Sequence, residues 1–157
     1  MFDTIFGLPV HTLVVHAAVV LLPLSALGAV IMGFSRRFSQ RFGPVVVAVA
    51  GAGVVAAFIS RASGEELAAR VGSPEAHIQA GNLLPFVGLA MFVLVLALWL
   101  VDRPLTGARA RRSVGIQILA VAVVAAAVIT TGWTVRTGHT GAEAVWQAIV
   151  ENTVPAS

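Results

Sequence analysis

The stretch from Leu8 to Gly33, LPVHTLVVHAAVVLLPLSALGAVIMG, decides the fold, because it holds no charged residue and is long enough to cross a bilayer. About 20 consecutive apolar residues span the hydrocarbon core as a helix. The same stretch carries His11 and His16, two of the chain's four histidines, close to its start. We therefore expect a first membrane span with polar chemistry near one end.

The composition of the whole chain is that of a membrane protein. Of its 157 residues, 58% are hydrophobic and 11% are charged, whereas soluble domains carry about 25% charged residues. The ten Lys and Arg positions are all arginine, and nine of them lie in the short connections between apolar windows, a pattern that does not favour nucleic-acid binding. The chain has no cysteine, which excludes disulfides, thiolate metal sites and covalent haem attachment through Cys-x-x-Cys-His.

Four uncharged windows have the length and composition of membrane helices. They cover residues 8–33, 42–60, 77–101 and 113–135 of a single domain, 1–157. A helix satisfies its own backbone hydrogen bonds in lipid, so each window is predicted to be helical. We predict an all-α integral membrane four-helix bundle, packed up-down-up-down and surrounded by lipid.

The arginines predict the orientation of the bundle. Seven lie in the connections after the first and third windows, against three on the other side. Cytoplasmic loops carry an excess of arginine and lysine, so we expect a plasma-membrane protein with both termini on the non-cytoplasmic side. The seven are Arg36, Arg37, Arg41, Arg103, Arg109, Arg111 and Arg112.

Two segments on the non-cytoplasmic side are predicted to be short helices. Ser63 can cap a helix that runs to Arg70, with acidic residues in its first turn. Gly141 to Asn152, after the last span, alternates apolar and polar residues at helical spacing. That pattern is typical of an amphipathic helix on the membrane surface, and packing on the end of the bundle is the alternative.

Small residues at four-residue spacing predict where the helices pack closely. One series lies in the first window and one in the second, with Gly53 and Ala57 beside the second series. The two series are Ser25, Ala29 and Gly33, and Ala48, Ala52 and Ala56.

Three histidines, His11, His77 and His139, are expected at similar depth near the non-cytoplasmic interface. Imidazole is the commonest metal ligand in proteins. These three residues therefore form a candidate copper or zinc site, with Glu65, Glu66 or Glu75 as a further ligand or as a partner that orients an imidazole.

His16 lies about 7.5 Å deeper than His11 along a helix. This depth suits an axial ligand of haem b, and His77 is its expected partner. Gly138 and Gly141 are expected to give the segment of His139 enough freedom to fold over the site. The structural alternative is that these histidines only cap helices, contact lipid headgroups or bond to a neighbouring span.

The function classes are limited by what the windows lack. No acidic or basic residue lies inside a span, which argues against a pump or secondary transporter. A transporter is therefore the third and least favoured of the three classes considered. The sequence contains no nucleophile elbow, phosphate-binding loop or His-Glu-x-x-His helix, so we expect no catalytic activity of its own. Two classes remain: a cofactor-binding protein of electron transfer, and a structural or assembly subunit of a membrane complex.

The opening GLPVHTLVVHAAVVLLPL and the closing WTVRTGHTGAEAVW resemble the two signatures of a bacterial membrane family called domain of unknown function 2231. That family commonly begins His-Pro-x-x-Val-His before an apolar run and later carries Gly-His-x-Gly. The match places His11, His16 and His139 on the family's histidines, while Thr12 and Ala17 depart from its proline and phenylalanine. Some members resemble fusions to Rieske or cytochrome-type domains, which implies a respiratory or redox partner.

Overall fold

The computed structural model describes residues 4–5, 8–71, 75–104 and 111–153. Two short antiparallel strands precede the first helix, β1 (Thr4–Ile5) and β2 (Leu8–Pro9). The helices are α1 (Val10–Phe34), α2 (Arg36–Val71), α3 (Glu75–Asp102) and α4 (Val114–Thr153). All four are long and apolar enough to cross a membrane, which confirms the predicted all-α membrane bundle.

The four helices form a ring. Helix α1 packs against α2 and α4, and α3 packs against the same two helices, while α1 and α3 barely touch across the diagonal. The bundle thus has two ends. We call the end with the first turns of α1 and α3 the histidine end, and the end with the first turns of α2 and α4 the arginine end.

The helices run further than the predicted spans. Helix α2 begins at Arg36, where the Ser35 hydroxyl accepts a hydrogen bond from the Phe38 amide at 3.2 Å, and continues for 36 residues. At 1.5 Å per residue this is about 54 Å, well beyond the ~30 Å hydrocarbon core. The two predicted short helices are therefore continuations of α2 and α4, and no separate amphipathic helix follows the last span within residues 111–153.

The centre of the bundle is built around Leu22 of α1, which is fully buried. Its side chain occupies the space beside Gly53 of α2 and Gly88 of α3, where a Cβ would lie 3.1 Å from a leucine methyl group. Ser25 and Ala29 are buried as predicted. In α2 the predicted series is confirmed only in part. Ala56 is buried, and so are Gly53 and Ala57 beside it. Ala48 and Ala52 are exposed, and Ala50 is buried in their place.

Large apolar side chains cover the outside of the ring. Leu27 of α1 is 60% exposed, and Val121 of α4 is 69% exposed. Polar residues in these spans are few, so the outer surface suits lipid tails rather than water. The fold thus gives an apolar belt between two polar ends.

Candidate functional site

His11 lies in the first turns of α1 and contacts the C-terminal half of α2. Its Nδ1 is 2.9 Å from the carbonyl oxygen of Ser60 and 3.4 Å from the hydroxyl of Ser63. The ring occupies the space that a side chain at Gly64 would need, since a Cβ there would lie 2.9 Å from His11 Cε1. The imidazole is therefore held in one orientation by two oxygens and by a glycine.

His77 repeats this arrangement between α3 and α4. Its Nδ1 is 3.3 Å from the Thr140 hydroxyl. A Cβ at Gly141 would lie 2.9 Å from His77 Cε1, so this imidazole also occupies the space beside a glycine of the next helix. Each helical pair, α1 with α2 and α3 with α4, thus closes its histidine end with an imidazole against a hydroxyl residue and a glycine.

The hydrogen-bond network indicates which ring nitrogen of each histidine carries the proton. The Ser63 hydroxyl donates to the Ile59 and Ser60 carbonyls at 2.9 and 3.2 Å. The Thr140 hydroxyl donates to the Arg136 and Thr137 carbonyls at 3.1 Å. The Ser60 carbonyl can only accept, so the His11 ring donates from Nδ1. A hydroxyl has one proton, so a Thr140 hydroxyl that donates it to a carbonyl accepts from His77, which favours hydrogen on Nδ1 of that ring as well. Their Nε2 atoms then hold the lone pair that a metal ion or a proton would take.

His11 and His77 lie within electrostatic reach of each other. The two side chains interact electrostatically, although their helices, α1 and α3, barely touch across the diagonal of the bundle. A neutral imidazole is the form that binds metals.

The other two histidines face outward. His16 is exposed on the surface of α1. His139 is exposed on α4, where its Nε2 lies 3.2 Å from a carboxylate oxygen of Glu143. Residues 114–153 form one helix, so the predicted freedom of the Gly138–Gly141 segment is absent and His139 does not fold over the bundle.

The predicted supporting acids have other positions. Glu65 forms an exposed ion pair with Arg61, with the two atoms 3.1 Å apart, and Glu66 is exposed. Gly138 has open space where a Cβ would be, whereas Gly141 packs against His77. Across the part of the chain that the structure describes, no three His, Asp or Glu residues are grouped as ligands for one metal ion.

Sequence reasoning missed the partners of His11 and His77. The partners of each histidine lie in the same short sequence pattern: a hydroxyl residue, a glycine, any residue and a glutamate. It reads Ser63-Gly64-Glu65-Glu66 in α2 and Thr140-Gly141-Ala142-Glu143 in α4. A search for internal similarity between the two halves of the chain would have drawn attention to both glycines.

The arginine end holds a buried polar group that was also missed. Asp102, the last residue of α3, is fully buried and pairs with Arg112. Arg112 also donates to the carbonyls of Met32 and Gly33 at the end of α1. The signal was a lone acid among seven arginines on the predicted cytoplasmic side.

A family model described as a predicted membrane protein (DUF2231) matches residues 7–154. The match covers all four helices and both histidine–glycine contacts. Neither the curated proteins nor the solved structures contain a match to the chain.

Proposed function

The chain belongs to this family of predicted membrane proteins, and we propose that it holds a metal-centred cofactor through His11 and His77 at the histidine end. Haem b suits a pair of neutral imidazoles, because imidazole is a usual axial ligand of haem iron. A copper or zinc ion is the other candidate, and it needs ligands beyond these two residues. The proposed role is electron transfer or an accessory task in a respiratory membrane complex.

One observation carries this proposal: both imidazoles are oriented through Nδ1. Metal-binding histidines generally donate their second ring N–H to a carbonyl, a carboxylate or water, which fixes the tautomer and the ring direction. His11 Nδ1 donates to a carbonyl, and His77 Nδ1 lies 3.3 Å from a hydroxyl that can accept from it, an arrangement that leaves the lone pair of a neutral ring on Nε2. His16 was the predicted axial ligand, but its exposure on α1 leads us to assign the site to His11 instead.

A redox role is supported by the setting rather than by the residues. The histidine end lies at the boundary of the apolar belt, where a cofactor would be near both lipid and water-soluble partners. The resemblance of some relatives to fusions with Rieske or cytochrome-type domains favours a respiratory partner.

A second function is favoured by the contacts of the two glycines. An imidazole packed on Gly64 or Gly141 ties two helix ends together without any cofactor. On this reading the protein is a structural or assembly subunit of a membrane complex, and its histidines act as clamps between helices. The two readings differ in what the purified protein contains.

The test is an absorption spectrum with elemental analysis of the purified protein and its variants. We expect a haem Soret band, or bound copper or zinc, in the native protein. His77→Ala and His11→Ala should each remove it. His139→Ala is the matched control, since this exposed imidazole on α4 should be dispensable. His16→Ala tests the originally predicted axial ligand directly.

The outcomes separate the two readings. Loss of the cofactor in His11→Ala and His77→Ala, with retention in His139→Ala, supports the cofactor site. A colourless, metal-free native protein that co-purifies with a respiratory complex would reject it and leave the structural subunit. Refolding and thermal stability are measured for each variant, so that loss of the fold is not taken for loss of a ligand.

A further inference from the structure

A second polar feature lies at the arginine end, on the opposite side of the apolar belt from the histidines. It is an open cavity of about 410 Å³, formed where the end of α1 meets the first turns of α2 and α4. Among the residues that the structure describes, three arginines line this cavity and no acidic residue does. The lining residues are Gly33, Phe34, Arg36, Arg111, Arg112 and Gln117.

The charge of this cavity is strongly positive. Three arginines line the cavity, and Asp102, which pairs with Arg112, is the one acidic residue of the sequence between Glu75 and Glu143. Arginines therefore outnumber acids at this end of the bundle. Arg112 is also fixed by the last carbonyls of α1, which gives the cavity one rigid wall. The starts of α2 and α4 lie here as well, and their partial positive charges add to the field.

The surface beside the cavity is apolar. Phe34, which lines it, is 82% exposed, and Val114 and Ile118 on the first turns of α4 are 72% and 65% exposed. A soluble protein would hide such side chains, but here they continue into the apolar belt. The site therefore joins a cationic cavity to a surface suited to acyl chains.

We propose that this cavity binds a phosphate group, with the headgroup of an anionic phospholipid as its source. A phosphodiester would place its oxygens among the guanidinium groups, which are strong donors to phosphate. Basic pockets between membrane helices are suited to anionic lipid headgroups. The adjacent exposed apolar side chains favour a lipid over free phosphate. This proposal is independent of the histidine site.

The test uses the purified protein in detergent, titrated with dioleoylphosphatidylglycerol and followed by native mass spectrometry. Arg36→Gln and Arg111→Gln should each weaken binding about fivefold. The reason is that one arginine near an anionic lipid surface contributes about 1 kcal/mol of binding free energy. Arg112 is left unchanged, because it also holds the ion pair. Arg37→Gln is the matched control, since Arg37 is exposed in the same helical turn and does not line the cavity.

Two further probes identify the source of the phosphate. Dioleoylphosphatidylcholine carries a phosphate but no net charge, and we expect it to bind more weakly. Inorganic phosphate that binds with the same dependence on Arg36 and Arg111 would support the phosphate site and assign it to a soluble ligand. Equal binding of both lipids, or an equal loss in Arg37→Gln, would overturn the proposal, because either result means unspecific attraction.

Discussion

The guanidinium of Arg112 and the carboxylate of Asp102 form a two-point ion pair inside the bundle, with Nε–Oδ1 at 3.0 Å and Nη2–Oδ2 at 2.6 Å. The Asp102 side chain is fully buried, and that of Arg112 is 10% exposed. Arg112 Nη2 also lies 2.7 Å from the Met32 carbonyl. One arginine thus links the ends of α1 and α3 to the start of α4 and satisfies carbonyls that a helix end leaves unpaired.

Asp102→Asn should destabilise the protein by about 3–5 kcal/mol, because it leaves a buried guanidinium without its counter-charge. The double variant Asp102→Leu with Arg112→Met should lower the free energy of unfolding by less, since it removes both charges. The free energy of unfolding is measured by titration with a denaturing detergent. Arg37→Gln, a change of an exposed arginine, should have little effect. A double variant as unstable as Asp102→Asn would contradict this account.

Gly43 of α2 is predicted to be intolerant of alanine. A Cβ there would overlap the Trp99 indole of α3, so the substitution should cost about 1–3 kcal/mol of unfolding free energy. Gly132 of α4 is the matched control, because a Cβ there meets open space. Gly132→Ala should stabilise the helix by up to about 1 kcal/mol. Similar effects of the two changes would show that the indole does not pack on Gly43.

The existence of the four helices could be predicted because membrane spans require long uncharged windows. Their ends could not, because α2 and α4 continue through polar sequence. Ser63 shows why. Serine before two glutamates is typical of a helix start, but its hydroxyl donates to the carbonyl of Ile59 one turn earlier, inside a continuous helix. The packed imidazole of His11 favours this continuation, and that contact is not visible in local sequence.

The candidate site could be predicted in part. His11 and His77 were named from their positions at the starts of spans. Their partners depend on how α1 is rotated against α2 and α3 against α4, which a single sequence does not specify. The same rotation exposes His16, which lies about 140° around the helix from His11. The role of Asp102 could not be predicted, because its pairing with Arg112 requires the chain to return ten residues later.

The orientation of the bundle is a further prediction. The excess of arginine at one end is expected to place that end in the cytoplasm and both termini outside. Reporter fusions placed after Arg41 and at the C-terminus are the measurement. A cytoplasmic signal is expected only after Arg41. A cytoplasmic signal from the C-terminal fusion would reverse the orientation and place the histidine end inside the cell.

Gly138 and Gly141 are a matched pair one turn apart on α4, and they should respond to alanine in opposite ways. Gly138 has open space, so Gly138→Ala should stabilise the helix by up to about 1 kcal/mol. At Gly141 the new Cβ would lie 2.9 Å from His77 Cε1, so the imidazole must move from the Thr140 hydroxyl.

Nitrogen-15 NMR of the imidazoles measures this effect directly. In the native protein, and in Gly138→Ala, we expect His77 to carry its proton on Nδ1. In Gly141→Ala the loss of the Thr140 acceptor should shift the tautomer toward Nε2–H, the commoner form of a free imidazole. Because Nε2 would then hold a proton instead of a lone pair in most molecules, the same variant should bind a metal ion or haem more weakly. An unchanged tautomer in Gly141→Ala would show that the Thr140 hydroxyl does not orient His77.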